Sequence, residues 1–408
     1  MTLREQAERI IKAALSAAQP DSAVKKALQN TDFSAGKLIL VAAGKAAWQM
    51  AKAAYEELGD RINSGVVITK YGHSQGKISN FAIYEAGHPV PDENSFLATE
   101  KAIEAVSNLN ENDTVLFLLS GGGSALFEKP LIPAADLERL TKELLACGAD
   151  IVEINTLRKR FSAVKGGRFA ELCAPAKVFT VVLSDVLGDR LDMIASGPAY
   201  PDSSSAEDAR NIVKKYHLTL TEEMQELLHR ETPKTLNNVE THITGSVRQL
   251  CAAAETVCQE LGYETVLLSD SLCCTARDAG SFLGSIARCH GNSGRKLAFL
   301  AGGETVVQLT GNGLGGRNQE LALAAAEQIE GLSACVFSLG SDGTDGPTDA
   351  AGGYVDGESA ALLRKQGISI SEVLKNNDSY HALKACGGLI ITGPTGTNVN
   401  DLSVLLIN

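Results

Sequence analysis

Three aspartates lie close together in the segment FSLGSDGTDGPTDAAGG, which spans residues 337–353. Asp342, Asp345 and Asp349 follow an apolar, strand-like run and stand among glycines. Asp and Gly are the ordinary residues of solvated turns, so a turn is the simplest interpretation. Carboxylates can also hold a cation, although Mg²⁺ usually takes only one or two of them from a protein. We therefore expect Asp342 and Asp345 to contact substrate or phosphate, and Asp349 to be a metal ligand.

Two cations occupy positions at which a helix is expected to begin, Lys45 after AAG and Arg317 after GNGLGG. The helix dipole disfavours a positive charge there by a few tenths to about 1 kcal/mol. An anion sharing the site would remove that penalty, whereas an exposed side chain could simply extend into water. A guanidinium group also suits a phosphoryl group, whose charge spreads over several oxygens. Lys45 and Arg317 are therefore candidates for contact with an anionic group, and Asn318 could cap the helix or donate to a substrate.

The segment SGGGSALFEKP places a glycine turn between a strand-like run and a helix start. Backbone N–H groups of such a turn can approach a phosphate, and a helix N-terminus attracts negative charge. The segment is not a Walker A motif and lacks G-x-G-x-x-G spacing. A tight structural turn is the alternative interpretation. The candidates for binding phosphate or substrate in this segment are Ser120, Gly121, Gly122, Gly123 and Ser124.

Further charged residues stand near the ends of other apolar runs. Asp185 ends KVFTVVLSD, where an aspartate either caps a helix or faces a ligand. As a ligand it could accept a proton from a hydroxyl group or hold Mg²⁺, which makes it a candidate for catalysis and for metal binding. Lys165 and Arg168 in KGGR suit a phosphate but also a surface turn. Glu304, at the end of KLAFLAGGE, is a candidate for binding substrate.

The continuous apolar runs that precede most of these residues predict parallel strands buried on both faces. Helical segments between the runs indicate β-α-β crossovers and doubly wound sheets, whose ligands bind beyond the carboxyl ends of the strands. We predict an α/β fold of two three-layer domains with mainly parallel sheets flanking a cleft. The linker-like segment TPKTLNN places the boundary between a Rossmann-like domain, residues 1–235, and a second α/β domain, residues 236–408.

Composition excludes several classes of protein. The chain has 408 residues and a net charge of −12, which argues against binding to nucleic acids or anionic membranes because these need clustered Lys and Arg. No apolar run is long enough to cross a bilayer. The N-terminal sequence MTLREQAERIIKAALSAAQP predicts an amphipathic helix rather than a signal peptide. Nine cysteines without a C-x-x-C motif indicate reduced thiols. These features predict a cytoplasmic protein.

In combination, the motifs of this chain resemble those of the glycerate 2-kinase family, whose C-terminal half is called the MOFRL domain. Some members carry the older label hydroxypyruvate reductase. The resemblance covers nearly the whole chain. The motifs that carry it occur in the order GKAAWQMA, AGHPVPDENS, SGGGSALFEKP, KGGRFAEL, LSDVLGDRLDMIASGP, GGET, GNGLGGRNQE, GSDGTDGPTDAAGG and TGPTGTNVNDL.

This resemblance implies phosphorylation of D-glycerate at its 2-hydroxyl group, with ATP as donor and Mg²⁺ as cofactor, to give 2-phosphoglycerate and ADP. It also implies two α/β domains around a deep cleft and, matched by motif, catalytic roles for Lys45, Asp185 and Arg317. We expect Asp185 to orient the acceptor hydroxyl or its metal, and the two cations to neutralise the phosphoryl group during transfer. The expected partners are D-glycerate and a nucleotide, and the sequence leaves a homodimer open.

Two other functions stay open from the residues alone. An NAD(P)H-dependent hydroxypyruvate reductase would suit the fold class, but the first strand ends in AAGKAAWQM. A dinucleotide site would have G-x-G-x-x-G there and an acidic residue about 20 positions later. A non-catalytic sugar-acid or nucleotide-binding module would be stabilised by its ligand without turnover. Binding alone rarely needs two cations at helix starts together with several carboxylates.

Overall fold

The protein divides into two compact units. The structure, a computed structural model, describes residues 1–29, 31–183 and 191–408. We call Ala23–Thr244 the parallel-sheet unit, and Met1–Ser22 together with Gly245–Asn408 the mixed-sheet unit. Each has its own six-stranded sheet.

Helices and strands alternate along most of the chain, as the apolar runs predicted. The strands are β1 Leu38–Ala43, β2 Ser64–Lys70, β3 Phe81–Ala86, β4 Thr114–Leu119, β5 Lys177–Val182, β6 Val239–Ile243, β7 Glu264–Leu272, β8 Leu297–Gly303, β9 Ala334–Gly340, β10 Gly352–Asp356, β11 Leu389–Ile390 and β12 Asp401–Ile407. The α-helices are α1 Leu3–Ala17, α2 Pro20–Leu28, α3 Ala47–Leu58, α4 Glu93–Ala105, α5 Gly123–Leu126, α6 Ala134–Ala146, α7 Ile151–Arg160, α8 Arg168–Cys173, α9 Ala206–Lys215, α10 Glu222–Leu228, α11 Val247–Glu260, α12 Ala276–His290, α13 Arg317–Ala325, α14 Ser359–Lys365, α15 Ile370–Lys375 and α16 Ser379–Ala385.

The parallel-sheet unit has the strand order β3-β2-β1-β4-β5-β6, with parallel pairing throughout. Successive side chains of a strand point to opposite faces, and here both faces are covered. Leu40 packs in a core cluster with Trp48 and Met50 of α3, whereas its neighbour Val41 packs in a second cluster with Ala98 of α4. The order is that of a doubly wound nucleotide-binding sheet, whose topological switch point lies between β1 and β4.

A separate helical layer adjoins this sheet within the same unit. Helices α6, α7, α9 and α10 bury an apolar cluster of their own that includes Leu140, Leu157, Ile212 and Leu227. Helix α7 begins at a capping box, in which Asp150 accepts the N–H of Glu153 over 2.9 Å. The packing of this layer fixes α7, which carries polar side chains described below.

The mixed-sheet unit has the order β11-β10-β9-β12-β8-β7. The predicted two-unit α/β fold is confirmed, but the second sheet needs a correction. Strands β7 and β8 are parallel, whereas β12 lies between β8 and β9 and is antiparallel to both, and β10 is antiparallel to β9. A parallel connection needs a crossover of a dozen or more residues, usually a helix. The loop from β9 to β10 contains no helix, so β10 returns in the opposite direction.

The observed units differ from the predicted boundary at residue 235 in two places. Strand β6 pairs with β5, which places the chain up to Thr244 in the parallel-sheet unit. Helix α1 packs against α11 and belongs to the mixed-sheet unit. Within that unit, Tyr263 donates its hydroxyl to Gln6 over 2.6 Å. The amphipathic N-terminal helix therefore completes a layer on a sheet formed much later in the chain.

All nine cysteines are free thiols, as predicted. Searched over the described residues, the helices include none with the length and apolar character that a membrane span requires. The cytoplasmic location stays a prediction.

Candidate functional site

The loops that follow β1 and β4 lie side by side at the switch point of the parallel sheet. The N–H of Lys45 donates to the carbonyl of Gly121 over 2.9 Å, and that of Ala46 donates to Ser120 Oγ over 3.1 Å. Gly44 permits this approach, because its φ is +129° and a Cβ there would lie 2.2 Å from Ser120 Oγ. The structure therefore brings the predicted Lys45 together with the predicted glycine loop, where doubly wound sheets bind ligands.

The Lys45 side chain lies beside an imidazole that sequence reasoning missed. A Cβ on Gly122 would lie 3.0 Å from His88 Cδ2 and 3.2 Å from Lys45 Cγ, so both side chains border the space at this glycine. Burial, followed by the charge of Lys45, lowers the pKa of His88, which favours a neutral ring. On α3, Lys52 pairs with Glu56 over 3.1 Å, whereas none of the described carboxylates pairs with Lys45. The available signal for His88 was the His-Pro pair directly after β3.

A strained turn lies beside the start of α5. Ala195 and Ser196 have φ values of +50° and +60°, which cost about 1–3 kcal/mol each for residues other than glycine. Ser196 Oγ donates to Asn155 Oδ1 over 3.0 Å and lies 3.4 Å from Ser124 Oγ. Ala195 packs on Gly123, where a Cβ would come within 2.8 Å of it. Such strain is frequent at ligand sites, and ASGP within the LSDVLGDRLDMIASGP motif was the only sequence signal for this turn.

Lys165 and Arg168 have protein partners. Lys165 is fully buried, and its Nζ donates to the carbonyl of Ser124 over 2.9 Å and lies 3.4 Å from Glu128. Burial lowers the pKa of Lys165 to about 8. Arg168 donates Nη1 to the carbonyl of Lys159 over 2.7 Å, at the end of α7. These contacts favour a structural role for both cations over the predicted contact with phosphate.

Asp185 lies outside the described residues, so its catalytic and metal-binding roles stay predictions. Just before it, the N–H of Leu183 donates to the carbonyl of Leu119, which continues the pairing of β5 with β4. Within residues 1–29, 31–183 and 191–408, no group of three or more His, Cys, Asp or Glu side chains is arranged to hold a metal ion.

In the mixed-sheet unit, Arg317 begins α13 and is held by two carboxylates. Its Nε and Nη2 donate to Asp401 over 2.6 and 2.9 Å, and its Nη1 lies 3.0 Å from Glu304. The bonds to Asp401 raise the pKa of Arg317. Burial raises the pKa of Asp401 to about 6, although the hydrogen bonds and charge of the Arg317 guanidinium group lower it. Asp401 begins β12 opposite Gly303 and Gly340, the last residues of β8 and β9, which is why these groups meet.

Asp345 and Asn318 are both buried at the start of α13. Asp345 accepts the N–H of Asn318 over 3.1 Å and that of Gln319 over 2.9 Å, so it caps the helix. Burial raises the pKa of Asp345. A Cβ on Gly316 would lie 2.3 Å from Asp345 Cγ, so a larger residue could not stand there. Asn318 Oδ1 accepts from Ser338 Oγ over 2.5 Å. These contacts favour structural roles for Asp345 and Asn318 over the predicted contacts with substrate.

The other two aspartates of the 337–353 segment have different surroundings. Asp342 is half-buried and accepts the backbone N–H two residues later over 2.9 Å, as in an Asx turn. A Cβ on Gly340 would lie 3.3 Å from Asp342 Oδ1 and 3.5 Å from Asp401 Oδ1, so Asp342 borders the Arg317 cluster. Asp349 is exposed and accepts the hydroxyl of Tyr380 over 2.8 Å. The three carboxylates therefore do not form one site among themselves.

Comparison with known families gives two matches along the chain. Residues 6–229 match a family model described as a domain of unknown function, DUF4147. Residues 297–401 match the MOFRL family model. The first match lies mostly in the parallel-sheet unit and the second lies within the mixed-sheet unit.

Named proteins are similar to this chain over its full length. The D-glycerate 2-kinase of Thermotoga maritima is 55% identical, with 100% of this chain and 99% of the relative covered. The glycerate 2-kinase of Pyrococcus horikoshii is 40% identical, with 100% and 98% covered. A protein of Agrobacterium vitis with a provisional name as hydroxypyruvate reductase is 39% identical, with 100% and 95% covered. A crystal structure of glycerate kinase from Thermotoga maritima matches with a TM-score of 0.95 at 55% identity, covering 100% and 99%.

Proposed function

The chain belongs to the glycerate 2-kinase family, and on this premise we propose that it transfers the terminal phosphoryl group of ATP to the 2-hydroxyl group of D-glycerate. The products are 2-phosphoglycerate and ADP. The observation that carries the proposal is the meeting of Lys45 with the glycine loop of residues 120–123 at the switch point of the parallel sheet. A cation without a carboxylate partner among the described residues, beside a glycine turn, suits the binding of an anionic phosphate.

The residues at the switch point fit a nucleotide phosphate. Lys45 supplies a positive charge, and Gly122 leaves open the space that a Cβ would fill between Lys45 and His88. His88, with a lowered pKa, adds a neutral donor or acceptor rather than a second charge. Phosphoryl transfer needs positioning and charge compensation more than covalent chemistry. We infer that Lys45 binds phosphoryl oxygens, while the 120–123 loop orients them.

Arg317 is proposed to bind the anionic group of the substrate or the phosphoryl group. A guanidinium group has five N–H donors, and its contacts with Asp401 and Glu304 use three of them. Among the described residues, the remaining N–H groups on Nη1 and Nη2 have no acceptor, so they could donate to oxygens of a ligand. Because both carboxylates hold the planar fork, its orientation is set before a ligand arrives.

Mg²⁺ is the proposed metal cofactor, and Asp185 and Asp349 are each kept as a predicted ligand. Mg²⁺ usually takes one or two protein carboxylates and shares the rest of its coordination with phosphates and water, so a single one of these carboxylates could be enough. When bound, the ion would compensate negative charge on the phosphate oxygens. Since ATP is the donor, we propose that the protein acts in the cytoplasm, and a homodimer stays a prediction.

The test is to identify the product. The protein is incubated with ATP, Mg²⁺ and D-glycerate, and ³¹P and ¹³C NMR locate the new phosphate ester. We expect ADP and an ester at carbon 2. An ester at carbon 3, or stabilisation by ligands without any ADP, would contradict the proposal. A parallel assay with NADH and hydroxypyruvate is expected to show no oxidation, and NADH consumption without ADP release from ATP would favour the reductase.

A further inference from the structure

Two adjacent cysteines follow β7 in the mixed-sheet unit. Cys273 and Cys274 are both free and both exposed. Thiolates are soft ligands that select thiophilic ions, and two thiols on neighbouring residues can hold one such ion together. Cys147 and Cys289 are also exposed, but each has no cysteine next to it in the chain. These two residues therefore provide matched single-thiol controls.

The segment with the two thiols is paired to the segment that follows β8. The N–H of Glu304 donates to the carbonyl of Leu272 over 2.8 Å. The N–H of Val306 donates to the carbonyl of Cys274 over 3.1 Å, and that of Ala276 donates to the carbonyl of Val306 over 2.9 Å. Three backbone hydrogen bonds thus hold residues 272–276, which we call the thiol segment, against residues 304–306.

Close packing at Gly303 accompanies this pairing. Gly303 has a φ of +151°, and a Cβ there would lie 2.2 Å from the carbonyl oxygen of Leu272. The next residue, Glu304, places its carboxylate 3.0 Å from Nη1 of Arg317. Backbone hydrogen bonds therefore connect the segment with Cys273 and Cys274 to the residue that carries one of the two carboxylates at the guanidinium group.

We propose that Cys273 and Cys274 form a dithiol site for a single thiophilic ion, such as trivalent arsenic, and that its occupation shifts Glu304 away from Arg317. The slowing of phosphoryl transfer that we expect from this shift rests on the proposed function, whereas binding of the ion does not. With phenylarsine oxide as the probe, two As–S bonds form and the arsenic–oxygen bond breaks. Both thiol protons leave with the oxygen as water, and no oxidation state changes.

Binding is tested by intact-protein mass spectrometry and thiol titration with phenylarsine oxide. We expect one bridged adduct per chain with loss of two thiols, removal by a dithiol, and resistance to a monothiol. Cys273→Ser and Cys274→Ser should each lose the stable adduct, whereas Cys147→Ser and Cys289→Ser should keep it. An adduct that persists in the Cys273→Ser/Cys274→Ser protein would overturn the site. Cys273→Ala/Cys274→Ala serves as a second variant should the serine protein fail to fold.

Coupling is tested by hydrogen exchange and by rate. In the adduct, amide exchange of residues 304–306 should speed up, because their hydrogen bonds to the thiol segment are disturbed. The rate of glycerate-dependent ADP release should fall roughly tenfold, because a small displacement of a group that positions the substrate slows the reaction. Removal of the arsenical by a dithiol should restore the rate. Unchanged exchange of 304–306 in the adduct would refute the coupling. If the unmodified protein released no ADP, only the proposed function would fail, because mass spectrometry and amide hydrogen exchange test the thiol site without any enzymatic activity.

Discussion

Lys45 and Arg317 follow the same sequence pattern, yet their surroundings differ. Lys45 lies at the switch point of the parallel sheet, and the described part of the chain gives it no carboxylate. Arg317 lies in the mixed-sheet unit with Asp401 and Glu304 against its guanidinium group. A cation that the protein does not neutralise is available to a ligand, whereas a paired cation also contributes to the fold. A positive charge at a helix start can therefore either bind a ligand or stabilise the fold, and mutations can distinguish these two roles.

The largest effect on stability is expected for Arg317→Ala. The variant leaves Asp401, whose side chain is only 6% exposed, without its partner. Removing one member of a fully buried pair costs about 3–5 kcal/mol of unfolding free energy, and because the Arg317 side chain is 33% exposed we expect the lower end, about 3 kcal/mol. Urea unfolding measures this loss. Arg364→Ala is the control, since its pair with Glu330 is exposed and should contribute less than about 1 kcal/mol. Equal losses in both variants would show that the burial of Asp401 does not make the Arg317 pair more important for stability than an exposed pair.

Lys45→Ala should show the opposite combination, with a large loss of rate and little loss of stability. Loss of one charge-stabilising donor lowers kcat by roughly 10²–10³-fold, while no ion pair with a described residue is broken. Steady-state kinetics with D-glycerate and ATP give the rate, and urea unfolding gives the stability. Lys52→Ala, on the neighbouring helix α3, should keep near-native turnover. A Lys45→Ala protein with native kcat would exclude the proposed role.

The three aspartates of the 337–353 segment extend the comparison to carboxylates. Asp345→Ala should lower the unfolding free energy by about 2 kcal/mol, because it removes a buried cap from α13. Asp349→Ala should change stability by less than about 0.5 kcal/mol, since its carboxylate is exposed. If Asp349 holds the metal, this variant should instead need more Mg²⁺ for half-maximal rate. Thermal unfolding with Mg²⁺ titration of activity measures both, and a stable Asp345→Ala protein would contradict the cap.

The parallel sheet could be predicted because a strand buried on both faces appears as a continuous apolar run, as in LILVAA of β1. The mixed sheet could not be predicted in the same way. The run LSVLLI of β12 is apolar, but an apolar run does not show whether the strand is parallel or antiparallel to its neighbours. The antiparallel direction of β12 depends on where the chain enters the sheet. Strand existence is therefore encoded locally, whereas strand direction depends on the connections.

For the candidate site too, local sequence predicts some features and tertiary contacts decide the others. Lys45 and the glycine loop could be predicted because both stand directly after strands that become neighbours. The burial of Lys165 could not, because its partner Glu128 is distant in the chain and nothing local shows that they meet. Asp401 was missed as the partner of Arg317 for the same reason. Residue type and strand ends identify candidates, but their charge partners come from the tertiary fold.

The smallest predicted effect concerns His88, which borders the same space as the Lys45 side chain in the parallel-sheet unit. Burial and the charge of Lys45 lower its pKa, so the folded protein binds this proton more weakly than the unfolded chain does. The stability that neutral His88 preserves is thus present above about pH 6.5 and is lost as the pH falls through the lowered value. Between pH 7 and 5, the wild-type protein should lose slightly more unfolding free energy than His88→Gln. The difference should be below about 1 kcal/mol, because solvent screens a partly exposed ring.

His242→Gln is the control, since His242 lies 2.8 Å from Glu240 rather than beside a lysine. Urea unfolding at several pH values measures the three proteins. Identical pH dependence in the wild type and His88→Gln would contradict the lowered pKa, because neither burial nor the charge of Lys45 would then disfavour the protonated ring.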